Sequence, residues 1–343
     1  MSKDEFLSVG GQAIVEGVMM RSPKYFAVAC RAPNKEIVIQ AEPIEKTWIG
    51  RQKWLKLPFL RGTWALLDGM TLGIRAMKFA SNVQLDEKYQ PVAEGTSEAG
   101  LADVNPAKPN KIQEGVVIGT IILSLALGLF LFKYLPQLGG TVLGEKFKFS
   151  DPMKNLTVES IKFVFFIGYL VAISRLEGIQ EVFKYHGAEH KAINVYEREL
   201  PLTMENCRAQ TRLHPRCGTS FAIIVLLLGF LIFPFVPRFE TVWPQFKDSL
   251  LMITTGNFLM HVAVLPLIAG IAYELLRFAG KFRDNKAVMT LFLPGLWTQY
   301  ITTSEPNDGQ IEIALASLQA CLDGESSLKP APVGEVFMEA KEV

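Results

Sequence analysis

Three of the four histidines lie within one stretch of the chain, and two of them share a helical turn. KYHGAEHKAINVYE (184–197) places His186 and His190 four residues apart, with Glu189 beside the second. Successive side chains on a helix turn by about 100°, so His186, Glu189, His190 and Glu197 fall on one face. Two imidazoles so placed can reach one cation. The order His-x-x-Glu-His is the reversed zinc-protease arrangement, in which the histidines bind zinc and the glutamate activates water. The same five residues also fit a solvated polar helix face, so spacing alone does not choose between the two.

HPRCGTS (214–220) adds His214 and Cys217 just before an apolar run. Imidazole and thiolate together suit zinc or iron better than magnesium or calcium. Two metal sites can be written from these residues. In an open one, His186, His190 and one of His214, Cys217, Glu197 or Glu274 bind the ion, and Glu189 is the general base. In a closed one, His186, His190, His214 and Cys217 all ligate and leave no room for substrate. A metal-free alternative caps a helix with Thr219 or Ser220, sets Cys217 near its N-terminus, and makes Cys217 a nucleophile with His214 as base. Glu274, in IAYELLRF, is read as a distal ligand, a carboxylate that orients a ligating histidine, or a partner of Arg277 or Arg175. His261 falls mid-way along an apolar stretch, where Asn257 can hydrogen-bond it on the same face. It is expected to pack or line a polar cavity apart from the metal.

These residues must be positioned by a chain rich in membrane-like segments. Hydrophobic residues make up 49% of 343, and the mean hydropathy is +0.23. Four apolar stretches, 116–135, 159–173, 218–236 and 250–273, can each cover a hydrocarbon core of about 30 Å. Four spans put both termini on the side that holds 175–216. Only Lys133, Lys146, Lys148, Lys154, Lys162, Arg238 and Lys247 of the 35 Lys and Arg then fall on the other side. The positive-inside rule therefore predicts cytoplasmic termini in a multi-pass protein of the bacterial inner membrane. The N-terminal MSKDEFLSVGG lacks the pattern of a cleaved signal, so insertion is expected to use the internal spans. The four scattered cysteines do not form a disulfide framework, and the net charge of +1 says nothing about nucleic acid.

The expected fold is an α-helical integral membrane protein of about four transmembrane helices, with a small N-terminal β-rich cytoplasmic domain and a C-terminal cytoplasmic helical segment. Residues 1–89 form the β-rich domain: YFAVACR and KEIVIQAEP flank a turn at Ala32-Pro33-Asn34, and GGQAIVEGVMMRSP adds a strand. FLRGTWALLDGMTLGIRAMKFA (59–80) is a helix, either on the membrane surface or in the core of that domain. Residues 90–112 read as a linker, 113–280 as the transmembrane domain with its metal-site loop 175–217, 281–324 as a C-terminal unit, and 325–343 as a disordered tail. In the C-terminal unit Asn307 or Asp308 caps the helix 310–322. Pro266 is expected to kink the fourth span. Lys46, Arg51, Lys53, Lys56 and Arg61 form a basic stretch that suits anionic lipid or ribosomal RNA, or a plain solvated surface.

GGQAIVEGVMMR, KYHGAEHKAINVYE, HPRCGTSF, AGIAYELLRFAG, PGLWTQ and TTSEPNDGQIEIA, in that order, resemble the YqhQ-like family of bacterial integral membrane proteins. The resemblance runs from about Gly10 to Leu322. It implies a membrane protein with a metal site at His186, Glu189, His190, His214 and Cys217, and it singles out Gln12, Glu16 and Arg21 without giving them a role. The family is named for predicted metal-dependent enzymes and supplies no substrate. Two functions are expected from all of this: a zinc- or iron-dependent hydrolase at the cytoplasmic membrane face, or a membrane scaffold or biogenesis factor with a structural metal. Metal transport is the weakest of the readings, because His261 and Asn257 are its main intramembrane candidates.

Overall fold

The structure, a computed structural model, describes residues 9–44, 60–91, 119–120, 123–282 and 285–327. Of the basic stretch only Arg61 falls among them; Lys46, Arg51, Lys53 and Lys56 lie outside, as do most of the linker and residues 328–343.

Four antiparallel strands come first: β1 (Gly10–Ile14), β2 (Gly17–Arg21), β3 (Tyr25–Arg31) and β4 (Ile37–Pro43), in that order across the sheet. GGQAIVEGVMMR makes two strands where the sequence suggested one. Val15 and Glu16 form a two-residue turn between paired Ile14 and Gly17, and Glu16 takes the left-handed conformation (φ 52°). No Asn-Gly or Gly-Gly announces that turn, so the pattern hid it.

Both faces of the sheet are covered. Ile14, Met19, Phe26, Val28 and Cys30 pack against Leu72, Ala76, Ala80 and Val83 of helix α1 (Leu60–Leu85). Val18, Met20, Ala27 and Ala29 face the other way. There they meet Tyr185, Ala188 and Ala192 of α4 (Glu177–Glu197) and Ile311, Ala314 and Leu318 of α11 (Asp308–Ser327). Alternate residues of a strand point to opposite faces, so a sheet covered twice needs apolar residues throughout, as VMM and FAVAC provide.

Among the described residues, four helices are long and apolar enough to cross a bilayer: α2 (Leu123–Lys146), α3 (Asp151–Ile173), the stretch Gly218–Val242, and α8 (Leu250–Lys281). The third begins as α6 (Gly218–Ile232), breaks at Phe233–Phe235 and ends in the short α7 (Phe239–Val242). The protein is thus an α-helical membrane protein with a small antiparallel sheet. The first helix runs past the expected end at 135. A π turn at Phe130–Tyr134 lies just before Pro136, and the Leu135 N–H donates to the Phe130 carbonyl. Widening the turn there absorbs a proline that lacks an N–H and crowds the preceding turn. Pro266 is carried within one continuous helix.

The remaining helices are α5 (Met204–Ala209), α9 (Lys286–Leu291) and α10 (Leu293–Thr302). Asn307 caps α11 reciprocally: its Oδ1 accepts from the Gln310 N–H at 3.0 Å, and its own N–H donates to Gln310 Oε1 at 2.9 Å. α11 continues into the expected tail through Ser327, and buried Glu325 accepts from Ser22 Oγ at 2.8 Å and the Lys24 N–H at 2.9 Å. The β-rich segment, the 175–217 loop and the C-terminal helix, read from sequence as parts of three units, share one hydrophobic core. They therefore lie on the same side of the spans.

Candidate metal centre

α4 follows the second span after only Ser174–Leu176 and carries His186, Glu189 and His190 on its inner face. It ends where Glu199 turns left-handed (φ 57°) and the Leu200 N–H reaches back to the Val195 carbonyl at 3.1 Å. The chain then returns through α5 to Cys217, the N-cap of α6, without a side-chain capping bond. Thr219 and Ser220, expected as caps, do other work: Thr219 Oγ1 lies 3.1 Å from Cys217 Sγ, and Ser220 Oγ accepts from Gln299 at 2.7 Å.

One ligand atom each from His186, His190 and Cys217 lie within 4.8 Å of one another. The tautomers follow from the other ring nitrogens. His186 Nδ1–H donates to the Thr302 carbonyl at 2.8 Å, and His190 Nδ1–H donates to the Arg212 carbonyl at 2.6 Å. A carbonyl only accepts, so both Nδ1 atoms hold their protons and both Nε2 atoms are left to ligate. His186 Nε2 lies 3.2 Å from Cys217 Sγ. Burial works against a charged His186, but the Cys217 sulfur and Glu189 beside it hold its pKa up at about 9. Burial likewise opposes a Cys217 thiolate, yet His186 and His190 pull its pKa well below the ordinary thiol range. Two nitrogens and one sulfur so placed fit zinc or iron. A cation entering this site would displace the His186 proton.

Glu189 Oε2 lies 3.8 Å from His186 Nε2 and 4.0 Å from His190 Nε2, beside the site. Strand β1 presses on it from behind. A Cβ on Gly11 would come within 2.6 Å of Glu189 Cγ and 2.7 Å of Oε1, so only glycine fits.

His214 is close but engaged elsewhere. Its Nε2 lies 3.2 Å from Glu197 Oε2, and Glu197 also binds Arg216. Burial pushes the His214 pKa down. His214 thus stands outside the group of three, and Glu197 orients it. The arrangement also separates His214 from Cys217 as a base and nucleophile, since the nitrogen beside the sulfur is that of His186. Glu274 pairs with Arg61 of α1, at 2.6 and 2.5 Å. His261 is remote: its Nδ1 accepts from Lys162 Nζ at 3.4 Å, and Phe233 stacks on its ring. Asn257 turns away from it, accepting from the Phe239 N–H and donating to Glu240.

Several supporting residues escape a search for ligands. Gln299 clamps the backbone of His214, accepting from its N–H at 2.8 Å and donating to its carbonyl at 2.7 Å. Asn194 holds the carbonyls of Thr211 and Leu213, and Lys191 that of Arg208. A Cβ on Gly187 would lie 2.1 Å from the Ser304 carbonyl oxygen, so glycine alone lets the 302–304 segment reach His186. The motif residues without a role also find partners in the structure. Glu16 accepts from the Tyr185 hydroxyl at 3.1 Å, and Arg21 pairs with Asp68 of α1 at 2.9 Å. They tie the sheet to the helices on its two faces.

Residues 57–324 match the family described as Protein of unknown function (DUF1385). The chain belongs to this family. It is also 33% identical over 320 residues to the "Uncharacterized protein YqhQ" of Bacillus subtilis (strain 168), covering 91% of this chain and 92% of that protein. No solved structure matches. The family match spans all three clustered residues, whereas the sheet that backs Glu189 lies before it.

Proposed function

We propose that the protein is a membrane-embedded, zinc-dependent hydrolase working at the cytoplasmic face. The observation that carries this reading is the engagement of His214 by Glu197, which leaves three protein ligands where a closed site needs four. His186 Nε2, His190 Nε2 and Cys217 Sγ would hold the ion, and iron suits the same donors. A bound zinc brings the pKa of a coordinated water down to about 7 and polarises the substrate. Glu189, within 4.0 Å of both imidazoles, takes the proton from the attacking water and returns it to the leaving group. Thr302 and Arg212 keep the two imidazoles in the ligating tautomer. Cys217 caps the third span, so the centre sits at the membrane boundary and suits a membrane-borne peptide, a lipid headgroup or a lipid-linked precursor. The cytoplasmic side is supported by the excess of Lys and Arg there.

A structural metal is the second reading. Burial of the Cys217 and Glu189 side chains favours it, because an ion there would fasten the 198–217 loop to α4. Cobalt substitution separates the two. The hydrolase reading expects thiolate-to-cobalt charge-transfer bands that vanish in Cys217→Ser, and visible bands that shift when acetohydroxamate enters an open position. Charge-transfer bands without any response to acetohydroxamate would mean a closed, structural site. No uptake of cobalt, zinc or iron would overturn both.

A further inference from the structure

The face of α1 turned away from the sheet is apolar and uncovered among the described residues. Leu72, Ala76, Ala80 and Val83 point into the core, whereas Leu67, Met70, Ile74 and Met77 are 47–58% exposed. Their spacing of three, four and three residues makes one continuous stripe. Scattered exposed apolar residues are ordinary, but an ordered stripe marks a contact surface.

The start of α1 fixes its level relative to the bilayer. Gly62 packs on Gly270 and Tyr273 of α8, Thr63 Oγ1 donates to the Pro266 carbonyl at 3.2 Å, and Arg61 pairs with Glu274. All four partners lie in the C-terminal half of α8, whose Gly280 comes against Arg216 of the loop that carries Cys217. Leu267 and Phe278 of that span are exposed as well. Across the bundle, α10 buries Gly295, Thr298 and Gln299 and exposes Trp297 (61%) and Tyr300 (59%). The Arg212 guanidinium lies over the Tyr300 ring, 5.8 Å from its centre. Gly295 meets Ser220, so this aromatic pair stands level with the first turn of the third span. Tryptophan and tyrosine collect at the headgroup boundary because each ring has an apolar body and a polar edge.

We infer that α1 is not a solvent-facing helix of the sheet domain but lies on the bilayer, its Leu67–Met70–Ile74–Met77 stripe sunk into the headgroup–acyl boundary of the leaflet nearest the metal centre, with Trp297 and Tyr300 seated at the same level. The sheet then rests on the membrane through α1 and does not stand free in water. Lys78, exposed beside the stripe, suits anionic headgroups, whereas Arg75 is turned to Glu42 and the Phe26 ring of the sheet. This holds whether or not the metal centre is catalytic.

The test uses the full chain in liposomes of phosphatidylcholine and phosphatidylglycerol, with a nitroxide on Ile74→Cys and another on Gln319→Cys, an exposed site on α11. Power-saturation spectra compare relaxation by oxygen, which concentrates in the acyl region, with relaxation by a water-soluble nickel chelate. Oxygen should dominate at position 74 and nickel at position 319, with oxygen-to-nickel ratios several-fold apart. Nickel dominance at 74 would show a water-facing helix and overturn the inference. Shielding from both reagents would show that protein covers the stripe, and would overturn it equally; dipolar broadening would then identify a second copy as the cover. Met77→Cys repeats the measurement on the same stripe if Ile74→Cys does not fold.

Discussion

Cys217 and His214 are three residues apart, yet the structure gives them different work. Cys217 faces two imidazoles, whereas His214 is held by a carboxylate and, at its backbone, by the amide oxygen and nitrogen of Gln299. Cys217→Ser and His186→Ala should therefore abolish bound metal, and His214→Gln should retain most of it. Mass-spectrometric metal analysis of protein purified without oxygen decides this; loss of metal in His214→Gln at unchanged folding would restore the four-ligand site. Gly187→Ala is a sharper probe, since it removes no ligand. Its methyl group meets the Ser304 carbonyl, so either α4 or the 302–304 segment must shift and His186 loses its Thr302 anchor. A drop of about 10–100-fold in metal affinity is expected, the usual cost of losing an outer partner of a ligating histidine. The clustered residues were legible in sequence because helix geometry alone brings His186 and His190 together. The carbonyls of Thr302 and Arg212 were not, because a backbone acceptor carries no residue signature. Nor was the division between Cys217 and His214, which depends on where Glu197 and Gln299 arrive in the fold.

At the scale of elements, the centre is assembled by packing more than by chain proximity. α10 reaches it through the Thr302 carbonyl, which holds His186, and through Gln299, fully buried, whose side chain satisfies two backbone groups of His214 and the Ser220 hydroxyl. Gln299→Leu leaves those groups unsatisfied in a dry environment, at roughly 1–3 kcal/mol for each. A lower unfolding temperature together with loss of metal is expected, and metal retained at full stability would remove Gln299 from the assembly. β1 reaches the centre through Gly11. Gly11→Ala should displace Glu189 while leaving all three ligands in place. The cobalt-loaded variant should keep its thiolate charge-transfer bands and lose the pH-dependent change that Glu189 supports; unchanged titration would mean that the glutamate does not act on the bound water. The β-rich runs around Ala32-Pro33-Asn34 mark this sheet as β structure, and 59–80 reads as a core helix of the same domain or a membrane-surface helix, but the cover on the other face was not legible. On the face away from α1 the cover comes from α4 and α11, more than a hundred residues later, at separations that local patterning does not reach.

Across the whole molecule, polar groups occupy both ends of the helical bundle for different reasons. At the end away from the metal centre, the Arg238 guanidinium is fully buried and bonds Asn155, Thr141 and Glu240. Deeper in the bundle, Lys162 Nζ donates to Glu159 Oε1 at 2.6 Å, both side chains being almost wholly buried, with His261 alongside. His261 lies beside both charges, 3.4 Å from Lys162 Nζ and 3.8 Å from Glu159 Oε1. This arrangement argues for a fixed fastening among α3, α6 and α8, not for a conducting path. The distinction has a thermodynamic signature. Removing one partner of a buried ion pair strands the other and costs about 3–5 kcal/mol, whereas replacing both with apolar groups of similar volume is often neutral or stabilising. Lys162→Met alone should therefore lower the unfolding temperature sharply in detergent, and Glu159→Leu/Lys162→Met should recover most of it while binding metal as the parent does. A double variant that folds well but no longer binds metal would show that the pair at the far end of the bundle communicates with the centre. A double variant as unstable as the single one would show that the charges themselves, and not the packing around them, hold these three helices together.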